Sequence, residues 1–357
     1  MAQIASANDD RNTVVIRDKG VKGESGNDGI DGVGFDNVRQ SKLSSPILKL
    51  FSPNELDEIS FSDLSFTRST IATSVNKYGA LVESAIDVAR EGANGWIIEG
   101  ASTNLLEDSN TLTTQDVTVI NQAHTLSFYG TGTVTLSGVF SGSLVGTGAN
   151  DRVTLSFTPS VGTLTLTVSG SVTSAQIEAL PFASSYIESS GVGVQGVRAV
   201  DISSLAALNN APNLNGDFSV SLNIVFNGFT GGDDFVLSFP NGVDSDDATP
   251  CLFCNDGVLT FRLSDGSTSI DATQIIAANT EYLVILRKTD SSITLDVDSV
   301  GSDTQIHSLT VPTGTNGVIK FGGNESGTSK NMYGSIYNLR VYEVALNDDE
   351  VTFLQGS

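Results

Sequence analysis

The sequence predicts an all-β protein with two antiparallel β-sandwich (jelly-roll) domains, which follow an extended N-terminal arm with a short collagen-like Gly-x-y segment. Three patterns indicate this fold class. Hydroxyl and apolar residues alternate across residues 117–178, and a period of two is typical of half-buried antiparallel strands. Short apolar runs separated by turn residues recur across residues 215–357. Glycine occupies every third position from 20 to 32, as a triple helix requires.

We divide the 357 residues into six regions. They are an N-terminal attachment arm (1–18), a collagen-like stem (19–34), a lead-in region of short strands (35–110), a middle β-sandwich (111–190), a linker (191–214) and a C-terminal β-sandwich (215–357). The formal net charge is −23, and residues 201–357 carry 6 Lys and Arg against 20 Asp and Glu. This excess of negative charge argues against nucleic acid and anionic bilayers as partners. The sequence predicts neither a membrane-spanning helix nor an N-terminal secretion signal.

The arm contains one short strand-like run, Thr13–Ile16, which has too few apolar residues to hold a fold alone. We therefore expect it to attach to a partner or to copies of itself. The stem has glycine in phase over five triplets, at Gly20, Gly23, Gly26, Gly29 and Gly32. These residues predict a homotrimer, because only Gly fits at the axis of a three-chain helix. The alternative is a flexible acidic linker, since the segment contains no Pro.

The lead-in region combines prolines with short strand-like runs. Ser52–Glu55 has the pattern of a helix start, with Ser as the cap and Pro at the first position. Strand-like runs follow at Ile71–Val75, Ala80–Glu83 and Trp96–Glu99, and Asn76–Gly79 supplies a turn between the first two.

Three stretches of this region resemble a known family: Phe66–Thr73 (FTRSTIAT), Asn76–Gly79 (NKYG) and Ile97–Leu106 (IIEGASTNLL). In this order they are similar to a module common in tail and fibre proteins of tailed bacteriophages. The resemblance implies a tail fibre or other virion appendage protein, made in the host cytoplasm and located on the tail or capsid surface, whose N-terminal arm attaches to other virion proteins. It does not supply a receptor.

The middle sandwich is predicted by runs such as Leu164–Val168 (LTLTV), with Gly residues as turns between them. Three later stretches, Ser174–Glu178 (SAQIE), Pro181–Ile187 (PFASSYI) and Arg198–Asp201 (RAVD), resemble the close of the same bacteriophage module. The resemblance therefore covers residues 66–201 and implies a carbohydrate-binding-like jelly roll. Glu188 departs from the pattern, because the module usually has Pro there.

The C-terminal third also has strand patterning. Glu281–Arg287 and Ile293–Asp298 predict two paired strands. Gly334–Tyr342 predicts a strand that leads into a short helix, with Asn347 as the cap and Glu350 completing a capping box. The pattern resembles laminin-G-like, concanavalin-type sandwiches. Domains of that type commonly bind glycans or proteins, sometimes through calcium.

Calcium is the one cofactor that the sequence brings into consideration. The candidate ligands are Asp244, Asp246 and Asp247, because oxygen-rich loops can hold this ion. The alternative is a solvated acidic loop. Cys251 and Cys254 form a lone C-x-x-C, and on a strand residues three apart point to opposite faces. We therefore expect two buried thiols rather than a turn disulfide or a zinc site.

No catalytic residue is predicted. His124 and His307 are the two histidines, and each lies in a strand-like run where a structural or surface role is expected. Asp296 and Asp298 share one face of a strand but lack the E-x-D-x-E arrangement of sandwich-fold glucanases. These features favour a protein that is not an enzyme.

Four aromatic residues are candidates for stacking on sugar rings: Trp96, Tyr129, Tyr333 and Tyr337. The alternative for each is a place in the core. Together with the bacteriophage resemblance, these residues favour a trimeric tail fibre or receptor-binding protein that binds host surface glycan. Two alternatives remain open, a capsid decoration or head-fibre protein and a glycan depolymerase. The depolymerase is disfavoured because a long β-helical repeat is missing.

Overall fold

The computed structural model describes residues 44, 48–50, 64–92, 95–206, 212–239, 250–311, 318–323 and 330–356. All of them lie in one of the two units into which the chain divides, Leu43–Ser357. The predicted arm, the stem glycines 20–32, the helix start at 52–55 and the candidate calcium ligands Asp244, Asp246 and Asp247 fall outside the described residues. No helix in the described ranges is long and apolar enough to cross a membrane.

Within these ranges the chain forms 26 strands and one helix. The first strands are β1 (Leu48–Leu50), β2 (Leu64–Thr67), β3 (Ala72–Val75), β4 (Leu81–Ser84), β5 (Arg90–Gly92), β6 (Gly95–Glu99) and β7 (Ser102–Asn104). The next are β8 (Gln115–Val119), β9 (His124–Gly130), β10 (Thr133–Gly138), β11 (Gly142–Val145), β12 (Gly148–Phe157), β13 (Gly162–Ser169) and β14 (Val172–Glu178). The last are β15 (Gly196–Arg198), β16 (Ile202–Ala206), β17 (Phe218–Phe226), β18 (Asp233–Ser238), β19 (Cys251–Asn255), β20 (Val258–Ser264), β21 (Ser269–Ile275), β22 (Glu281–Lys288), β23 (Ser292–Val297), β24 (Gly301–Ile306), β25 (Val318–Phe321), β26 (Tyr333–Tyr342) and α1 (Asp348–Gln355).

The predicted all-β fold class is confirmed, because the strands form several antiparallel sheets. The C-terminal sandwich consists of an eight-stranded sheet in the order β24-β23-β22-β17-β26-β6-β5, with β1 also paired to β26, and a seven-stranded sheet in the order β2-β16-β25-β18-β19-β20-β21. Its core is fully buried and includes Phe218, Phe261, Leu286 and Ile336. The predicted pairing of the strands around 281–287 and 293–298 is present as β22 with β23.

Strands from the predicted lead-in region belong to these two sheets. β6 pairs with β26, so that Trp96 lies opposite Ile336, and β2 pairs with β16, so that Phe66 lies opposite Ser203. The C-terminal sandwich is therefore built from strands that precede and strands that follow the middle sandwich. The middle sandwich is an insertion between them.

The middle sandwich comprises β8–β14, in a four-stranded sheet (β11-β10-β13-β8) and a three-stranded sheet (β12-β9-β14). Its strands alternate as the sequence predicts. On β13, Leu164 and Leu166 are fully buried, whereas Thr163 and Thr167 are exposed. Its core, which includes Leu126 and Phe128, is separate from that of the C-terminal sandwich.

Helix α1 covers part of the outer face of the eight-stranded sheet. The predicted capping box is present: the Asn347 side chain accepts from the Glu350 N–H, and the Glu350 carboxylate accepts from the Asn347 N–H. The same carboxylate accepts from the N–H and Oγ of Ser44, at 2.7 and 2.8 Å. Val351 and Leu354 pack with buried residues of the sheet and anchor the helix.

Candidate functional site

Three of the four candidate sugar-stacking residues lie in the core. Trp96 is 3% exposed and its ring packs edge-on against Phe321, with ring centroids 5.8 Å apart. Tyr333 and Tyr337 are 6% and 9% exposed, and burial raises the pKa of both phenols. Their ring faces are covered, which is the alternative that the sequence left open. Tyr129 is partly exposed.

A network of buried charged residues lies where the segments flanking the middle sandwich meet. Arg68, Arg90, Glu99, Arg198 and Asp201 each have a side chain that is at most 1% exposed. Arg68 reaches the Asp201 carboxylate at 3.0 Å, and Arg90 bridges Asp201 and Glu99 at 2.5 and 2.8 Å. Arg198 contacts Glu99 at 3.1 Å. We call these five residues the arginine network.

The network keeps the Glu99 carboxylate ionised although water is excluded. Burial alone would raise the pKa of Glu99, but Arg198, Arg90 and hydrogen bonds from Ser185 outweigh it and lower the pKa to about 2. Burial would likewise lower the pKa of Arg90, but Glu99 and Asp201 outweigh it and raise the pKa. Ion pairs this deep are stable only when the charges are paired and hydrogen-bonded, and here each of the three arginines reaches at least one of the two carboxylates.

The arginine network joins the segments that resemble the bacteriophage module. Arg68 comes from the segment 66–73, Glu99 from the segment 97–106, and Arg198 and Asp201 from the last segment, 198–201. Ser185, in the segment before the last, donates its backbone N–H to Glu99 at 2.8 Å. Four stretches that are far apart in sequence therefore form one buried contact.

The sequence alone predicts no role for the five residues of the arginine network. Residues 101–200 carry only 2 basic and 6 acidic side chains, so that Arg198, followed three residues later by Asp201, is conspicuous. The presence of charged residues in a region with few of them, within stretches that resemble the bacteriophage module, is the sequence signal that points to the arginine network. Their partners could not be inferred, because Arg90 and Asp201 are 111 residues apart.

A second layer of hydrogen bonds extends from the network to the middle sandwich. Glu178, at the end of β14, is fully buried and accepts from the Ser184 N–H at 2.7 Å, the Ser184 hydroxyl at 2.6 Å and the Ser102 hydroxyl at 2.7 Å. Asn104 donates to the carbonyls of Ala175 and Ile187, at 2.9 and 2.8 Å. These bonds fix the middle sandwich to the strands that flank it.

The four-stranded sheet of the middle sandwich presents a surface of hydroxyl groups. Cross-strand pairs on its outer side bring Thr135 opposite Thr167 and Ser143, Ser137 opposite Thr165, and Thr118 opposite Thr163. We call these seven residues, Thr118, Thr135, Ser137, Ser143, Thr163, Thr165 and Thr167, the hydroxyl face. All are exposed except Thr165, which is half-buried. Asp116, opposite Thr165, is an exposed acidic group at its edge.

The spacing of the hydroxyl face suits an extended polar ligand. Neighbouring strands are about 4.8 Å apart, and alternate residues along a strand are about 6.8 Å apart, so hydroxyls recur on a two-dimensional grid. Each hydroxyl can both donate and accept a hydrogen bond. The arrangement can therefore bind a polyhydroxylated, uncharged molecule without the cost of burying a charge.

Most other chemically reactive residues singled out in the sequence have structural contacts. His307 is 7% exposed, and its Nδ1 accepts from the Leu309 N–H at 3.2 Å, while His124 is 1% exposed. Cys251 and Cys254 are buried on opposite sides of β19, as predicted, in two different apolar clusters. Among the described residues, no group of three or more His, Cys, Asp or Glu could hold a metal ion.

The carboxylates considered for hydrolysis are also structural. Asp296 is 1% exposed and forms a bidentate pair with Arg287, at 2.7 and 3.1 Å. Asp298 accepts from the Leu283 N–H at 2.7 Å. Both groups are engaged in holding β22 to its neighbours.

The fold and these contacts define an all-β protein in which one sandwich is inserted into another. No family model and no curated protein matches the chain. Solved structures with partial similarity include a botulinum neurotoxin type C structure described as dependent on two ganglioside molecules for cell entry (14% identity, 44% of this chain and 40% of that chain, TM-score 0.36). A second is the Ruminococcus gnavus IT-sialidase CBM40 bound to α2,3-sialyllactose, with 17% identity over 40% of this chain and 83% of that chain and a TM-score of 0.35. A third is the binding domain of Paraclostridial Mosquitocidal Protein 1, with 19% identity over 44% of this chain and 43% of that chain and a TM-score of 0.32.

The alignment spans about 40% of the length of the neurotoxin chain. At TM-scores this low, neither a shared fold nor a shared ligand follows from these similarities.

Proposed function

We propose that this chain is a non-enzymatic structural protein of a bacteriophage virion, a trimeric tail fibre or receptor-binding protein that binds neutral glycan on the host surface. The observation that carries the proposal is the arginine network. The segments that resemble the bacteriophage module meet at this network, although Arg68 and Asp201 are 133 residues apart. The resemblance thus corresponds to one physical unit of the fold.

The arginine network suits display rather than catalysis. Its charged groups are paired with one another and at most 1% exposed, so a substrate cannot reach them. Its contacts instead hold the strands on both sides of the middle sandwich. A rigid connection of this kind keeps a binding surface at a fixed orientation on an appendage, which lowers the entropic cost of binding.

The hydroxyl face is the surface that we assign to the glycan. The chain carries a net charge of −23, so polyanionic sugars would be repelled, whereas a neutral sugar would not. Single sites built from hydroxyl groups bind weakly. Three copies on one fibre would raise the apparent affinity through multivalency, by about 10²-fold or more when the geometry permits.

The first prediction concerns this face. Replacing Thr135 by Glu and Thr167 by Lys is expected to weaken binding on an array of neutral glycans by about tenfold or more, because charges replace the central hydroxyls. The two positions are cross-strand partners, so the opposite charges support the sheet. The thermal melting temperature should therefore change little.

The matched control is Thr310→Glu, at an exposed threonine of the C-terminal sandwich. Its binding should equal that of the unchanged protein. Wild-type protein that binds no neutral glycan would contradict the proposed function, and equal binding by the double variant would contradict the assigned face. Imaging of labelled antibody on the particle would separate a tail fibre from a capsid decoration protein.

A further inference from the structure

The hairpin formed by β3 and β4, with the loop that follows it, exposes an unusual number of large apolar side chains. They are Ile71 (48% exposed), Val75 (40%), Tyr78 (82%), Leu81 (38%), Ile86 (53%) and Val88 (48%). Of the 17 large apolar residues that are exposed in the described structure, these six fall within 18 consecutive residues. Single exposed apolar residues need no explanation, but a cluster indicates a contact surface. We call residues 71–88 the apolar hairpin.

The apolar hairpin is held firmly from beneath. Arg68 of the arginine network donates to the carbonyls of Ala85 and Val88, at 2.8 and 3.0 Å, and its own N–H donates to Asp87 at 2.9 Å. The Thr73 hydroxyl donates to the Tyr186 carbonyl at 2.6 Å. A two-stranded hairpin is marginally stable alone, so these bonds hold an otherwise weak element in a fixed position.

One edge of the apolar hairpin is open. Within the described residues, β4 pairs with β3 and with no other strand. Leu81 lies opposite Val75, so the two exposed side chains stand next to each other on one face. An open edge beside exposed apolar residues is a surface to which another chain can add.

Charge on the apolar hairpin points to the partner. Lys77 lies at the turn, with its Nζ 5.4 Å from the centre of the Tyr78 ring, whereas the exposed Glu83 lies on β4 towards the base. The surface therefore has a positive end and a negative end. A surface of this kind is complementary to itself, because a second copy can place its Lys77 against Glu83 of the first.

The rest of the molecule strengthens this choice of partner. Copies with a net charge of −23 repel each other, so they can associate only where charge is low and apolar surface is available. Residues 71–88 carry one basic and two acidic side chains. Five of the six exposed apolar side chains of the apolar hairpin are aliphatic and lack the hydrogen-bonding groups or flat rings that bind a sugar, and Tyr78 is the exception.

We propose that the apolar hairpin is the contact between copies of this chain, with Lys77 of one copy facing Glu83 of the next. The proposal goes beyond the proposed function, because it requires neither a glycan nor a virion. The contact lies within residues 71–88, outside the Gly-x-y segment.

The test is a charge exchange in the full chain, followed by light scattering across a dilution series. The wild-type protein should be oligomeric at micromolar concentration. Lys77→Glu alone, or Glu83→Lys alone, should weaken association by about tenfold or more, because like charges then face each other. The double variant, Lys77→Glu with Glu83→Lys, should recover wild-type association, since the pair is restored with its charges reversed.

Two further variants complete the test. Leu81→Asp should dissociate the oligomer with little change in melting temperature, because the residue is already partly exposed. Ile275→Asp is the matched control: this residue of β21 is 77% exposed but lies outside the apolar hairpin, and its variant should associate like the wild type. A monomeric wild type, or a double exchange that does not recover association, would overturn the proposal.

The two proposals fail separately. A monomer that still binds glycan would overturn the copy contact and the proposed trimer, but would leave the proposed glycan binding standing. An oligomer that depends on Lys77 and Glu83 but binds no neutral glycan would support the copy contact and contradict the proposed function.

Discussion

Replacing Asp201 by Ala is expected to destabilise the protein by about 3–5 kcal/mol, because removing one partner leaves buried charges unmatched. Asp201 accepts from Arg68 and Arg90 and from the backbone N–H of Glu99, the last at 3.0 Å. All of these groups are buried. The loss would appear as a lower melting temperature and a lower midpoint of urea unfolding.

The matched control is Asp271→Ala. Asp271 also pairs with an arginine, Arg262, at 2.8 Å, but the two side chains are 34% and 23% exposed. Water can solvate the arginine that remains, so the expected loss is about 1 kcal/mol or less. Equal losses in the two variants would show that the arginine network contributes no more than a surface pair.

A second large effect is expected at Asp234. This residue is 1% exposed and lies at the start of β18, in the seven-stranded sheet. Burial raises the pKa of this carboxyl to about 6, although the backbone N–H and the hydroxyl of Thr230 donate to it, at 3.0 and 2.6 Å. A group whose pKa is higher in the folded state stabilises the fold while it is protonated. Its contribution is present below pH 4 and is lost as the pH rises through about 6.

The change from the ordinary pKa of 3.8 to about 6 corresponds to about 3 kcal/mol of folding free energy. Asp234→Asn is therefore expected to be more stable than the wild type at pH 7 by an amount approaching this value. The advantage should disappear near pH 4. Urea unfolding of both proteins at several pH values measures the difference directly.

Other carboxylates also titrate over this range, so only the difference between the wild type and Asp234→Asn is informative. The exposed Asp116→Asn variant controls for the removal of one negative charge. If Asp234→Asn has no greater advantage over the wild type at pH 7 than at pH 4, burial of this carboxyl is not costly.

Local patterns in the sequence predicted much of the fold. The alternation of Thr163–Thr167 predicts both the strand and its buried face, because side chains on a strand alternate with period two. The capping box at Asn347 and Glu350 is equally local. Such features need only neighbouring residues, and they are the ones that the structure reproduces.

Pairing across long distances could not be predicted in the same way. Trp96 looked like a candidate for binding sugar, but β6 pairs with β26, about 240 residues later, and this pairing places the ring in the core. The hydroxyl face required the register between β10 and β13, which periodicity alone does not fix. The arginine network depends on contacts between residues that are far apart in sequence. Its charged residues therefore appear in the sequence as isolated polar positions.

The position at which the middle sandwich is inserted determines how this part of the sequence can be exchanged for another. The chain enters the middle sandwich after β7 and leaves it before β15. These two strands are paired, with Ser102 opposite Arg198. The two ends of the insertion are therefore held side by side, about 5 Å apart. A segment of different sequence and length can be exchanged between these points if it keeps the contacts of Glu178 with Ser102 and of Ser185 with Glu99, which stabilise the strands that receive it. Recombination at two short stretches would then replace the whole middle sandwich in a single step.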